Sequence, residues 1–188
     1  MSKFNKKSSI FALSAIAMFG LPTMAQSIDY GSLEMLFDEP VTTSATGAPQ
    51  RSTDAPVTME IISADEIRNS GAVNIPTLLS RLAGVEVQQY GRNFHDVAIR
   101  GYNQNKTPRL LVLVNGRQVF QDYYGFTDWD VIPVQLDEIR QIEIVKGPNT
   151  ALFGFNAVGG VVNIITFNPL YTETNTLRGG VDFNDGVR

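Results

Sequence analysis

The stretch from residue 141 to residue 166 reads QIEIVKGPNTALFGFNAVGGVVNIIT, and it decides the fold of the chain around it. At its start, Ile142 and Ile144 alternate with the polar Glu143, and at its end a β-branched run extends from Val161 to Thr166. Short alternating patterns and β-branched runs are both typical of strands. The sequence therefore predicts two strands joined by a turn-rich insert.

The insert between these strands is rich in residues that turn the backbone. Gly147-Pro148 ends the first strand, because proline has no N–H to donate and disfavours a helical conformation in the residue before it. One helical turn is predicted at residues 149–153. Gly159 and Gly160 follow, and since glycine tolerates conformations that a Cβ would strain, the second strand is expected to return tightly against the first.

The glycine spacing also resembles that of a phosphate-binding loop, since Gly154 and Gly159 stand five residues apart after a strand. A phosphate loop needs Lys and then Ser or Thr directly after its second glycine. Gly160 and Val161 occupy those two positions. Nucleotide binding is therefore disfavoured.

The whole stretch resembles the plug domain of TonB-dependent outer-membrane receptors, whose pattern is close to I-E-x-x-x-G-P-x-x-x-L-[YF]-G-x-x-A-x-G-G-[VI]-[VI]-N-I-[IV]-T. Arg100-Gly101-Tyr102 and the run LLVLVNGRQVF at residues 110–120 resemble the same family's upstream elements, in the family's order. The resemblance covers about residues 33–166 and implies an α+β fold, a small mixed β-sheet with short helices. The residues that fit the pattern are Ile142, Glu143, Gly147, Pro148, Leu152, Phe153, Gly154, Ala157, Gly159, Gly160, Val161, Val162, Asn163, Ile164, Ile165 and Thr166.

Residues 1–25 have the features of a secretory signal peptide. Three lysines between residues 3 and 7 precede an apolar segment at residues 10–21, and Thr-Met-Ala at residues 23–25 forms a small-residue cleavage site. The apolar segment is too short to span a bilayer as a helix. Export with removal of residues 1–25 is therefore predicted.

The composition excludes several classes of function. Without the three lysines of the signal peptide, 12 of the 15 basic residues remain against 19 acidic ones, a net charge of −7. Nucleic-acid binding needs clusters of Lys and Arg, so a nucleic-acid partner is not expected. With no cysteine and one histidine, thiolate and polyhistidine metal sites are excluded, and no cofactor or metal is expected.

The chain divides into four predicted parts, the first of which is the signal peptide at residues 1–25. Residues 26–56 are interpreted as a flexible arm, residues 57–168 as the plug, and residues 169–188 as a linker with a possible first barrel strand, because residues 176–188 alternate. Family members continue into a 22-stranded barrel, which needs on the order of 200 residues within the membrane. The chain is therefore interpreted as a fragment or a truncated product.

Within the arm, EPVTTS at residues 39–44 resembles the TonB box, the short extended segment that family members present to the periplasmic protein TonB. An unpaired extended peptide offers backbone donors and acceptors to the edge of a partner's sheet, with little demand on its side chains. A plain disordered linker is the alternative. The residues expected to bind TonB are Glu39, Pro40, Val41, Thr42 and Thr43.

Local signals predict the elements of the plug. Strands are expected at residues 57–62, 85–88, 96–100 and 110–114, the last buried on both faces. Ser63 and Glu66 form a capping box for a helix at residues 64–70 that ends at Gly71, and a second helix is expected at residues 75–83. Asn115-Gly116 predicts a type I′ hairpin turn.

Three predicted loops, at residues 89–95, 102–108 and 122–129, mix aromatic rings with amides or a cation, a composition typical of recognition surfaces. The resemblance favours the first and third loops for ligand contacts. The alternative for any of these residues is packing against the inner wall of a barrel. The candidate ligand-binding residues are Tyr90, Arg92, Phe94, Tyr123, Tyr124 and Trp129.

Other polar residues give weaker indications. His95-Asp96 could form half of a catalytic arrangement, but no Ser or Cys lies in a nucleophile-elbow setting. Asp128 and Asp130 lack the oxygen-rich spacing of a calcium loop. Glu143 is expected, with Lys146, at a solvated or locally paired strand edge. An enzyme is therefore disfavoured.

The resemblance implies the plug portion of an outer-membrane active transporter that binds a ferric siderophore, haem or cobalamin and couples to TonB. The implied partners are TonB, the small-molecule ligand and the barrel of the same receptor, and the implied location is the cell outer membrane. Without a barrel, this length of chain is not expected to transport by itself. A stand-alone exported binding protein with the plug fold is the alternative.

Overall fold

The computed structural model describes residues 30–37, 39–91, 94–101, 109–119 and 126–169. The predicted signal peptide, the loop at residues 102–108 and the alternating segment at residues 176–188 lie outside these ranges. Within them, no helix has the length and apolar character that a membrane-spanning helix requires.

The described chain forms four short helices and nine strands. The helices are α1 (Tyr30–Phe37), α2 (Ala64–Ser70), α3 (Ile75–Leu79) and α4 (Thr150–Phe153). The strands are β1 (Val41–Thr42), β2 (Gln50–Arg51), β3 (Met59–Ser63), β4 (Val85–Gly91), β5 (Phe94–Ile99), β6 (Leu110–Val114), β7 (Arg117–Gln118), β8 (Ile139–Lys146) and β9 (Gly160–Thr166). Single turns of 3₁₀ helix lie at Ser52–Asp54, Trp129–Val131 and Leu136–Glu138.

The central sheet has five strands in the order β3-β8-β9-β6-β7. β9 is antiparallel to β8 and parallel to β6, so the sheet is mixed, as predicted. β1 and β2 form one separate antiparallel pair, and β4 and β5 form another. The fold class inferred from the sequence is confirmed.

Gly160 allows the tight return of β9 against β8. A Cβ at this position would lie 2.5 Å from the carbonyl oxygen of Val145 and 2.8 Å from the side chain of Ile99. Real Cβ atoms essentially never approach other heavy atoms that closely. The glycine at position 160 is therefore a packing requirement of this sheet.

Different elements pack against the two faces of the sheet. On the helix face, alternate residues of β8 and β9 such as Ile142, Ile144 and Ile164 are fully buried and pack in one core with α2 and α3. On the opposite face, which we call the segment face, Val145 and Val161 form a smaller apolar cluster. Successive side chains of a strand point to opposite faces, so each of these strands is buried on both sides.

Local turn and cap signals are confirmed by the backbone. Ser63 and Glu66 form the predicted capping box, and Gly71 ends α2 with a φ of 65°. Asn115 and Gly116 have φ values of 50° and 77°, as a type I′ turn requires, and join β6 to β7.

The second predicted helix is shorter than expected. α3 ends at Leu79 rather than at residue 83. Beyond Leu79 the amides of Arg81 and Leu82 bond to carbonyls three residues back, at Leu78 and Leu79, so the chain continues in tight turns. The strands at β3, β4 and β5 lie where the patterns placed them, within three residues at each end.

The described part of the predicted flexible arm is packed against the domain in this structure. Val41 is fully buried, and β1 pairs with β2 through Val41–Arg51 and Thr42–Gln50. Low hydrophobicity predicted an unpaired arm, but here burial of Val41 and hydrogen bonds to the sheet together hold the segment. The expected free extended peptide is therefore corrected to a docked one.

Candidate functional site

Glu143 lies at the centre of the segment face. Its strand, β8, has β3 on one side and β9 on the other, so Glu143 is not at an edge of the sheet. The side chain is 0% exposed, which corrects the expected solvated strand edge. A carboxylate removed from water is stable only with strong donors around it.

Three donors surround the Glu143 carboxylate. The Thr42 hydroxyl donates to Oε2 at 2.9 Å, and the backbone N–H of Ser44 donates to the same oxygen at 3.0 Å. The side-chain amide of Gln141 donates to Oε1 at 2.7 Å. Hydrogen bonds to an ionised acceptor are roughly twice as strong as neutral ones, so this carboxylate anchors the arm.

Two amides extend the contact on either side of Glu143. The Gln141 amide also donates to the backbone carbonyl of Val41 at 2.9 Å, and the Asn163 amide donates to the Ser44 hydroxyl at 3.0 Å. We call Gln141, Glu143 and Asn163 the polar patch and residues 41–44 the docked segment. The polar patch contacts both the backbone and the side chains of the docked segment.

The five residues predicted to bind TonB are placed in two environments. Val41 and Thr42 are buried in the docked segment, whereas Pro40 is exposed. Glu39 accepts a hydrogen bond from the Thr53 hydroxyl at 2.7 Å. The Thr43 hydroxyl lies 2.9 Å from the Tyr30 hydroxyl, on the side away from the polar patch. The structure thus holds Val41 and Thr42 against the sheet and leaves Pro40 exposed.

Helix α1 lies beside the docked segment. Arg140 of β8 pairs with Glu34 at 2.5 Å and lies 5.9 Å from the centre of the Tyr30 ring. Burial raises the pKa of Tyr30 to about 12, against a lowering effect of the hydrogen bond to Thr43. The neutral phenol is therefore the form that holds Thr43.

Three aromatic rings meet where the first and third predicted loops approach each other. The rings of Tyr90 and Phe94 are 5.9 Å apart, and those of Phe94 and Phe126 are 5.7 Å apart in an edge-to-face arrangement. Tyr90 is half exposed and donates its hydroxyl to Gln88 at 2.5 Å. Phe126 was absent from the predicted set, although it lies within the third loop.

Among the other predicted ligand residues, Trp129 is not part of this aromatic cluster. Trp129 is 7% exposed and belongs to the main core on the helix face, so its surface is not available in this structure. Arg92, Tyr123 and Tyr124 lie outside the described residues. The prediction that they contact ligand stays a prediction.

The remaining candidates form no chemical centre among the described residues. His95 is buried, and its Nδ1 lies 3.9 Å from a carboxylate oxygen of Asp130. No group of three or more potential metal ligands occurs in the ranges that the structure describes. A groove of about 570 Å³ lies between β3 and helices α2 and α3, and none of the predicted site residues lines it. Among the described residues, the polar patch is the site at which predicted candidates contact the peptide groups of the docked segment.

Comparison with known proteins gives a consistent result. The model of the family described as the TonB-dependent receptor plug domain matches residues 51–161. The vitamin B12 transporter BtuB of Vibrio vulnificus is 33% identical over 171 residues, which are 90% of this chain and 27% of that protein. The iron-regulated outer membrane virulence protein of Vibrio cholerae is 30% identical over 173 residues, 88% of this chain and 25% of that protein. The chain spans about a quarter of the length of these relatives.

Solved structures share the fold. The FpvAI–pyocin S2 complex matches with a TM-score of 0.58 and 18% identity, over 69% of this chain and 16% of that chain. P. aeruginosa FpvA bound to a pyoverdine matches with a TM-score of 0.54 and 17% identity, over 69% of this chain and 17% of that chain. At these identities the likeness concerns the fold alone.

Proposed function

Since this chain belongs to the family of TonB-dependent receptor plug domains, we propose that it is the plug portion of an outer-membrane active transporter. The named relatives are a transporter and an outer-membrane protein, not enzymes. The proposed role is to bind a scarce nutrient and to couple its uptake to TonB. This role needs no catalytic residue in the chain.

The coupling element in this proposal is residues 39–43. The observation that carries it is that Val41 and Thr42 are already extended and paired as a strand, the conformation in which a peptide adds to the edge of a partner's sheet. The segment precedes the matched plug region, at residues 51–161. TonB is therefore the proposed partner of this stretch.

The ligand-binding element in this proposal is the aromatic cluster of Tyr90, Phe94 and Phe126 with the adjoining loop residues Arg92, Tyr123 and Tyr124. The cluster joins two loops and offers a half-exposed ring with a hydroxyl, which suits a large ligand with both apolar and polar groups. Ferric siderophores, haem and cobalamin share that character. We propose a ligand from this group and do not narrow it further.

The proposed coupling is tested by replacing Val41 with Pro. Proline removes the backbone N–H and fixes φ, so residues 39–43 can no longer complete a ladder with a partner strand. Calorimetry with the purified periplasmic domain of TonB should show binding to the wild-type chain and none to Val41→Pro. Val41→Ala is the matched control, because it shortens the side chain and keeps the N–H.

Loss of binding in Val41→Pro, with binding kept in Val41→Ala, would therefore report on the ladder and not on the size of the side chain. Equal binding by wild type and Val41→Pro would place the coupling element elsewhere in the chain.

A further inference from the structure

We propose that His95 and Asp130 form a proton-dependent ion pair that holds residues 126–131, which we call the Trp129 segment, against strand β5 at low pH and loosens them at higher pH. The pair stands on the geometry of the described residues. Its consequence for the aromatic cluster, which would be better ordered in acid than at higher pH, rests on the proposed function.

The Trp129 segment contacts strand β5 at two successive residues. The Phe126 ring packs edge-to-face on Phe94 at 5.7 Å, and a carboxylate oxygen of Asp130 lies 3.9 Å from His95 Nδ1. The indole of Trp129 belongs to the core on the helix face. The aromatic contact carries no charge, so it positions the segment at every pH. A change of charge at His95 therefore acts on two elements that already lie together.

The imidazole of His95 is incompletely bonded at this junction. Its side chain is 5% exposed, and within the described ranges Nδ1 has no hydrogen-bond partner. The hydroxyl oxygen of Thr127, in the Trp129 segment, is also buried without a partner in that part of the chain. Buried polar atoms are normally hydrogen-bonded, so an unpaired nitrogen between two elements requires an explanation.

Protonation supplies the missing hydrogen bond. A neutral imidazole carries one N–H and one lone pair, whereas an imidazolium carries an N–H on both nitrogens. Charged N–H···O⁻ bonds are about 2.7–2.9 Å long, so Asp130 has to move only about 1 Å toward His95. The side chain of Asp130 is 30% exposed, so water solvates its carboxylate when the imidazole is neutral. Neither state leaves a buried charge without a partner.

The other carboxylates of the β4–β5 hairpin face away from His95. His95 lies opposite Gln89, whereas Asp96 is the next residue of β5 and Glu86 lies opposite Ala98. Successive side chains of a strand point to opposite faces, so Asp96 and Glu86 share the face that His95 does not use. The hairpin thus brings no second carboxylate to the imidazole.

The remaining elements around β5 leave Asp130 as the charged group that faces the imidazole among the described residues. Helix α3 and strand β6 contain no charged residue. The hydroxyl of Tyr90 donates to Gln88, and Asp128 accepts a hydrogen bond from the Asp130 N–H at 3.2 Å. The last contact orients the turn that carries Asp130.

The direction of the pH effect follows from the state that forms the pair. Only the protonated imidazole pairs with Asp130, so the hold on the Trp129 segment is present in acid and is lost as the pH rises. Histidine is the side chain whose charge ordinarily changes between pH 5 and 8. The chain has one histidine and no cysteine, so a side-chain titration in this window is assigned to His95.

Acrylamide quenching of tryptophan fluorescence in the full, untagged chain tests the pair, because Trp129 is the chain's one tryptophan. The quenching constant should be about two- to fivefold larger at pH 8 than at pH 5.5, the extent to which a partly exposed ion pair shifts a local opening equilibrium. Nuclear magnetic resonance of the one imidazole should give a titration with the same midpoint.

Three variants isolate the contribution of the pair. His95→Gln and Asp130→Asn should each abolish the pH dependence and show the larger, pH 8 quenching constant at both pH values. Asp130→Asn keeps the imidazole, so it also separates the ion pair from direct quenching by a protonated ring. Glu86→Gln removes a carboxylate from the other face of the same hairpin, so this matched control should keep the wild-type dependence.

A quenching constant that is equal at the two pH values, or larger at pH 5.5, would overturn the proposal. The same holds if Asp130→Asn keeps the wild-type dependence, or if the quenching and imidazole midpoints differ. If His95→Gln fails to fold, Asp130→Asn decides the question, because it changes a partly exposed side chain and keeps its size. Both readouts work without ligand or TonB, so a failure of the proposed function is distinguished from a failure of this pair.

Discussion

The segment face of the sheet has two halves that differ in how they are covered. In the apolar half, Leu111, Val145 and Val161 pack under Ala157 and the neighbouring Phe153. In the polar half, the polar patch is covered by the docked segment through hydrogen bonds. The same two strands, β8 and β9, contribute to both halves.

The difference between the halves concerns reversibility. Apolar side chains that leave a packed site expose surface to water at about 25 cal/mol per Å², and no solvent contact compensates for it. Hydrogen bonds to a polar patch can be replaced by hydrogen bonds to water, so their net contribution is about 0.5–1.5 kcal/mol each. The apolar half therefore maintains the fold, and the polar half is suited to reversible binding of the docked segment.

The largest expected effect comes from breaking the sheet that both halves share. Gly160→Val would place a side chain 2.5 Å from the Val145 carbonyl, so β9 could not lie against β8. We expect the free energy of unfolding to fall by at least about 3 kcal/mol, with protection lost in both halves. Denaturant unfolding followed by circular dichroism measures this change.

Gly91→Ala is the control for Gly160→Val, because nothing lies within 4 Å of a Cβ at Gly91. It should leave stability nearly unchanged. A Gly160→Val chain as stable as wild type would mean that the sheet tolerates a wider spacing between β8 and β9.

A pair of truncations should separate the two halves. Leu111→Ala removes buried apolar volume, so the free energy of unfolding should fall by about 2–5 kcal/mol while local exchange at residues 41–44 keeps its rate. Ser44→Ala removes the hydrogen bond to Asn163, so it should cost about 0.5–1.5 kcal/mol and act on docking. Limited proteolysis of residues 41–46 and global unfolding, measured on both variants, give the two readouts.

The distinction between the halves would be lost if Leu111→Ala and Ser44→Ala changed proteolysis and global unfolding in the same ratio. In that case the segment and the core would open in one step.

The smallest expected effect concerns the phenol beside the docked segment. The pKa of Tyr30 is raised from 10.0 to about 12, so the neutral form stabilises the folded state. That stabilisation is present in full below pH 10 and is lost as the pH rises through about 12. Ultraviolet titration of the tyrosines should show one late phase near pH 12 that is absent in Tyr30→Phe.

If Tyr30→Phe kept the late phase, another tyrosine would be responsible for it. If Tyr30 ionised at the same pH as the exposed tyrosines, α1 would not pack beside the docked segment in solution.

Local signals in the sequence were sufficient for much of the fold. The capping box of Ser63 and Glu66 and the Asn115-Gly116 turn depend on a few neighbouring residues, and both are present as predicted. The long match to the plug pattern then identified the family. These features could be predicted because their causes lie within a few residues of each other or within one recognisable stretch.

The environment of Glu143 could not be predicted in the same way. Its burial depends on the pairing of β3 with β8, on the side opposite β9. It also depends on contact with Thr42, which is 101 residues away in the sequence. One signal was present: Gln141 and Glu143 alternate with isoleucines, and Asn163 interrupts a β-branched run. Polar residues at such positions indicate a second buried face with a polar cover. Trp129 was assigned to a recognition loop from the composition of residues 122–129. Composition alone does not show that its ring reaches the core.

The chain that joins the docked segment to β3 limits how far the segment can travel. Residues 45–58, fully extended at about 3.3 Å per residue, reach roughly 45 Å. A tether of that size keeps a released segment at an effective concentration in the millimolar range, so redocking is an intramolecular event. A free peptide would therefore have to be present at millimolar concentration to displace the segment. Deletion of residues within 45–58 would change this effective concentration without altering the residues of the polar patch.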